Sequence, residues 1–250
     1  MHARAGVALN WKHHFRRLTA DCEMLALALP DERDLLAEIA RVAPEEATVK
    51  IIVTRGAGGR GYTPLRQPPT RVVAAFAPPN YPDSLRREGV RIRRCALVLS
   101  EQARVAGAKT LNRLENVLAR GEWTDTDVRE GLLGDAAGRL IEGTMSNVFL
   151  VKGGKAATPA LKRCGVVGAQ RERVRELLAG ERIECTERDI AFEELVAADE
   201  VFLTGSLIGA WPVSEFGERR WIPGPVTRRV QALIDRQDAQ TIEGRDAQAR

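Results

Sequence analysis

The sequence predicts an α+β protein built as two domains. Two segments of helical period open the chain and a group of β-branched runs follows them. A Gly- and Ala-rich junction near residues 100–108 then precedes a second series in which strands and helices mix. With 250 residues, 44% hydrophobic and 29% charged, the chain has enough apolar side chains for a core in each half. The expected division is a smaller α/β domain over 1–104, a larger domain over 105–236, and a disordered tail over 237–250, where apolar periodicity stops.

Taken in order, Trp11 to Leu29 places apolar residues at helical spacing, and Asp31 to Val42 gives a second amphipathic helix after Pro30. Thr48 to Thr54, Arg71 to Ala77 and Val90 to Leu99 are apolar, β-branched runs, read as strands of one sheet. Beyond the junction, Leu111 to Arg120 resumes helical period, with Leu111, Leu114, Val117 and Leu118 on one face. Strands are expected at 129–134, 139–142, 146–152, 182–187 and 199–204, and helices at 168–179, 190–197 and 225–236.

Composition excludes several chemistries. The net charge of +4 comes from Arg and Lys interspersed with Asp and Glu, which argues against a nucleic-acid stripe while favouring anionic small molecules. Cys22, Cys95, Cys164 and Cys185 are widely spaced and form no C-x-x-C pair, so no zinc site or redox dithiol is expected, and no metal. His2, His13 and His14 all fall near the start, which leaves little for a histidine triad. No apolar run is long enough to span a bilayer and no leader pattern opens the chain, so no membrane association and a cytoplasmic address are expected.

Four segments could carry chemistry. Arg55 to Tyr62 contains G-x-G-x-x-G after a strand, but it leads into a proline-rich stretch where a dinucleotide site requires a helix. It reads instead as a flexible β-turn or as a glycine-rich loop offering Arg60 and Tyr62 to an anionic, ring-shaped substrate. Lys109 is one of only six lysines, and Ala106, Gly107 and Ala108 before it leave room for a bulky group. Partial desolvation there would make its amine a nucleophile. Glu142, beside Gly143, is a carboxylate able to keep a pyridine nitrogen protonated. From Gly165 the chain turns into a helix whose first amides, at Ala169 and Gln170, are suited to phosphate.

In this order, HFRRL, RGAGGRGY, AKTLNRLENVLAR, EGTMSN, GVVGAQR and LTGSLIGAWPV resemble the branched-chain-aminotransferase-like family of pyridoxal-phosphate enzymes, fold type IV. The resemblance covers nearly the whole chain from Gly6 to Val213. It implies a two-domain enzyme with Lys109 bonded covalently to pyridoxal 5'-phosphate, and Glu142 at the pyridine nitrogen. Arg17, Ala169, Gln170 and Ser206 would lie around the phosphate, and Arg60 and Tyr62 at a substrate carboxylate. Three of the segments are lyase-like and imply conversion of 4-amino-4-deoxychorismate to 4-aminobenzoate and pyruvate in folate synthesis, by a homodimer. The alternatives are an aminotransferase of branched-chain or D-amino acids, or a truncated inactive remnant. Comparison with the family pattern leads to the expectation that about 25 residues, forming the first N-terminal strands, are missing before Gly6.

Overall fold

The computed structural model describes residues 1–64 and 67–248, with side chains through Gly244. The chain divides into two compact units, 1–80 with 237–250, and 81–236.

In the first unit, β1 (His2–Arg4) and β2 (Val7–Ala8) precede α1 (Trp11–Met24) and α2 (Glu32–Val42), and β3 (Ala47–Thr54) and β4 (Thr70–Phe76) complete a sheet in the order β2-β1-β3-β4. Asp31 caps α2 by accepting from the amides of Arg33 and Asp34 at 2.8 and 3.2 Å. Leu35 and Ile39 turn inward from that helix, and Ile39 packs with Ala3, Ala8 and Val49. The first helix ends at Met24, short of the expected Leu29, because the chain turns left-handed at Ala26, and Arg55 donates to the carbonyls of Leu25 and Ala26.

The second unit runs α3 (Asp83–Arg87), β5 (Val90–Leu99), α4 (Leu114–Arg120), β6 (Val128–Asp135), β7 (Leu140–Gly143), β8 (Asn147–Lys152), β9 (Lys155–Pro159), α5 (Ala169–Gly180), β10 (Cys185–Arg188), α6 (Phe192–Ala197), β11 (Glu200–Gly205), β12 (Gly209–Phe216), β13 (Arg219–Arg220) and the part of α7 (Pro225–Gln248) up to Arg236. Its mixed sheet has the order β10-β9-β8-β11-β12-β5-β6-β7, with β13 on β12. One core holds Leu132, Ile190, Leu203 and Trp211. Another packs Phe149 and Phe202 against Val174 and Leu178 of α5 and Val230 of α7. Phe149 and Phe202 face each other across β8 and β11 with ring centroids 4.9 Å apart.

Three expectations are corrected. The run 90–99 does not share a sheet with 48–54 and 71–77: β5 pairs in parallel with β12 and β6. The compact units accordingly divide between Asn80 and Tyr81 and not at 104/105. The tail expected to be disordered from 237 continues α7 to Gln248, because the buried turns at Val226, Val230 and Ile234 nucleate a helix that Gln, Ala and Arg then extend at little cost; the remaining two residues lie outside those described.

Candidate active site

Two segments far apart in sequence are laced together in the second unit. Gly107 forms a parallel bridge with Val166: its amide donates to Gly165 O at 3.0 Å, and the Val167 amide donates to Gly107 O at 2.8 Å. This pairing places Lys109, two residues on, beside the turn that leads into α5. Lys109 is exposed, against the partial desolvation expected of it, because only the small residues Gly107 and Ala108 behind it are buried.

Glu142 lies on the other side of the same turn. Its carboxylate accepts from the Val166 amide at 2.9 Å and is only 4% exposed. Burial pushes it up to about 7, against the opposing pull of the Val166 amide and the positive charges of Arg113 and Lys109. Gly165 is required at this point. It sits at φ 84°, and a Cβ there would lie 2.8 Å from Ile141 and 3.5 Å from the carboxyl carbon of Glu142.

The loop after Glu142 is held by a second buried carboxylate. Glu130 accepts from the amides of Gly131, Thr144 and Met145 and from the hydroxyls of Thr144 and Ser146, all within 3.1 Å. Those contacts set the start of β8, where Asn147 donates to Val166 O at 2.9 Å. Asn147 also stands against Gly168, the N-cap of α5, where a Cβ would come within 2.1 Å of its Oδ1. Across the ladder, Asn147 pairs with Thr204 of β11. The Thr204 hydroxyl is buried without a hydrogen-bond partner, and the β11–β12 turn that carries Ser206 follows it.

The second unit therefore assembles Lys109, Glu142, the helix start at Ala169 and Gln170, and the turn of Ser206 around one loop system. Arg17, Arg60 and Tyr62 belong to the first unit. Arg17 is half-buried on α1, with Asp21 one turn on at 4.0 Å. Arg60 and Tyr62 are exposed in the 55–64 loop, whose G-x-G-x-x-G opens no helix and so lacks the geometry of a dinucleotide site. Arg113, Asn147, Thr204 and Glu130 were not singled out in the sequence. The spacing of Arg113 from Lys109 and the T-G-S at 204–206 were the available signals, whereas Glu130 and Asn147 acquire meaning only through tertiary contacts.

These groups fit pyridoxal phosphate. An exposed amine meets an aldehyde, a buried carboxylate suits a ring nitrogen, and a helix N-terminus with an orphaned buried hydroxyl beside it suits a phosphate. A family model described as amino-transferase class IV matches residues 1–216. An aminodeoxychorismate lyase of Vibrio harveyi is 34% identical over 93% of this chain and 88% of its own length. The crystal structure of 4-amino-4-deoxychorismate lyase from Pseudomonas aeruginosa superposes with a TM-score of 0.88 at 40% identity, covering 94% of this chain and 87% of that one. A putative branched-chain-amino-acid aminotransferase of Methanocaldococcus jannaschii is 32% identical over 86% of this chain and 76% of its own length.

Proposed function

The chain belongs to the class IV aminotransferase family, and from that premise we propose that it is a pyridoxal-phosphate-dependent aminodeoxychorismate lyase, splitting 4-amino-4-deoxychorismate into 4-aminobenzoate and pyruvate. The observation that carries the reading is the similarity over nearly full length to lyases of that name, which cover more of this chain and of their own length than the aminotransferase does. Folate synthesis and a cytoplasmic location follow from the same reading.

Bound pyridoxal phosphate supplies an aldehyde that captures amines and a protonated ring that draws electrons from the carbon bearing the captured amine. Lys109 holds the cofactor covalently. Its amine would take the proton from the amine-bearing carbon of the substrate and return one to the methylene of the enolpyruvyl group, whose C–O bond to the ring breaks as pyruvate leaves. Glu142 keeps the ring nitrogen protonated, and the Val166 amide orients its carboxylate. The amides of Ala169 and Gln170, with Ser206 and Thr204, hold the phosphate. The family resemblance adds Arg17 to the phosphate, and Arg60 and Tyr62 to a substrate carboxylate.

A homodimer fits the outward face of α4 and the residues before it. Leu111, Leu114, Val117 and Leu118 are 63, 69, 65 and 56% exposed, an apolar patch that a second copy would cover.

The test is pyruvate release from aminodeoxychorismate without an amino acceptor, by protein showing a visible cofactor band that Lys109→Ala abolishes along with at least a thousandfold of the rate. Strict dependence on 2-oxoglutarate, with glutamate formed, would make the protein an aminotransferase.

A further inference from the structure

A single side chain holds the backbone on both sides of Lys109. Arg113, at the N-cap of α4, donates from Nε to Thr110 O at 3.1 Å and from Nη2 to Ala108 O at 3.1 Å, with Thr110 Oγ1 at 3.3 Å from the same nitrogen. A planar guanidinium can span two carbonyls in this way because its donors are fixed in a fork. An ammonium offers a point charge and cannot hold both at once. Gly107, the residue before Ala108, is anchored separately through its pairing with the 165–167 turn.

Arg113 also lies within the charge environment of Glu142. The charged groups acting on that carboxylate are Arg113 and Lys109 on the positive side and Glu130 on the negative side, with Arg113 the stronger of the two cations. One residue thus combines a backbone clamp on the lysine segment with a fixed positive charge beside the lysine–carboxylate pair. Half-burial of the guanidinium leaves that charge less screened than a surface arginine's.

We propose that Arg113 is the positioning residue of the active-site lysine, clamping the carbonyls of Ala108 and Thr110 so that the Lys109 amine is presented in one orientation, beside the fixed positive charge of the guanidinium. This inference rests on Lys109 being the cofactor lysine. It makes Arg113 act through Lys109 and not on the substrate, so its loss should lower kcat and leave KM nearly unchanged.

The test compares wild-type holoprotein with Arg113→Met and Arg113→Lys. In Arg113→Met the pH midpoint of the visible band of cofactor bound to Lys109 should rise by about one unit, since a neighbouring positive charge no longer disfavours the protonated nitrogen. In Arg113→Lys, which keeps the charge, the midpoint should stay within a few tenths of a unit, while kcat falls about tenfold and KM stays within about twofold because the clamp is gone. Cofactor trapped on the Lys109 peptide by borohydride, read by mass spectrometry, should persist in both. An unshifted midpoint in Arg113→Met that unfolds at the wild-type temperature would overturn the proposal. If that variant does not fold, a wild-type kcat in Arg113→Lys would overturn it instead. The titration needs no substrate. A shifted midpoint without pyruvate release therefore sinks the lyase reading and leaves the role of Arg113 standing, whereas wild-type protein with no visible band sinks both.

Discussion

Glu142 shows how one residue can hold a site ready at a cost to the fold. Its folded-state value near 7 lies above the ordinary 4.5, so the folded protein binds this proton more tightly than the unfolded chain does. Stability from this group is therefore full below about 4.5 and is lost as pH rises through 7. The loss approaches about 3 kcal/mol at pH 8 in cofactor-free protein. Glu142→Gln keeps an oxygen for the Val166 amide and removes the charge. Urea unfolding of cofactor-free Glu142→Gln should match wild type at pH 5 and exceed it by up to about 3 kcal/mol at pH 8. Equal stability at both values would show that Glu142 is not strained by burial. The sequence marked this residue through its place beside Gly143, and marked Lys109 through its small neighbours. It could not show that Arg113 clamps the backbone around Lys109 and acts on Glu142, because those contacts depend on how the 110–113 turn folds back.

At the scale of elements, the start of α5 depends on a missing Cβ. Gly168 has φ −69°, so its backbone would accept any residue, and the demand for glycine is purely steric, set by Asn147 Oδ1 at 2.1 Å from the position of a Cβ. Gly168→Ala should push Asn147 off Val166 O and turn the first amides of α5. Cofactor titration should show affinity reduced about tenfold or more, while thermal unfolding of the cofactor-free protein changes by only a few degrees. Unaltered affinity would mean that the helix start does not bind the phosphate. The helix itself was legible from the glycine turn and the apolar spacing after it. Short strands without β-branched runs were not: β9, KAATP, and β12, GAWPVSEF with its internal proline, are recruited by neighbouring strands and not by their own propensity.

For the whole molecule, strand pairing in the larger sheet accounts for the two-unit organisation better than local pattern does. The apolar run 90–99 reads as a strand wherever it is placed, and only its parallel partners, β12 and β6, assign it to the larger sheet. Parallel pairing joins segments far apart in sequence, which periodicity cannot see. The same limit applies to α4, whose spacing marks an apolar face but not the direction in which it points. Exposure of Leu114 and Val117 makes that face the place to test assembly. Leu114→Glu with Val117→Glu should convert a dimer to a monomer by light scattering, without lowering the unfolding temperature by more than a few degrees. A monomeric wild type would remove the basis for a homodimer.

The bridge between Gly107 and Val166 has a further consequence for how the protein is made. The lysine segment leaves the ribosome well before the residues that will hold it, so a nascent chain cannot present a finished pocket until α5 has been synthesised and has docked. On the proposed reading, the lysine, the carboxylate and the helix start come together only once α5 has docked onto the lysine segment.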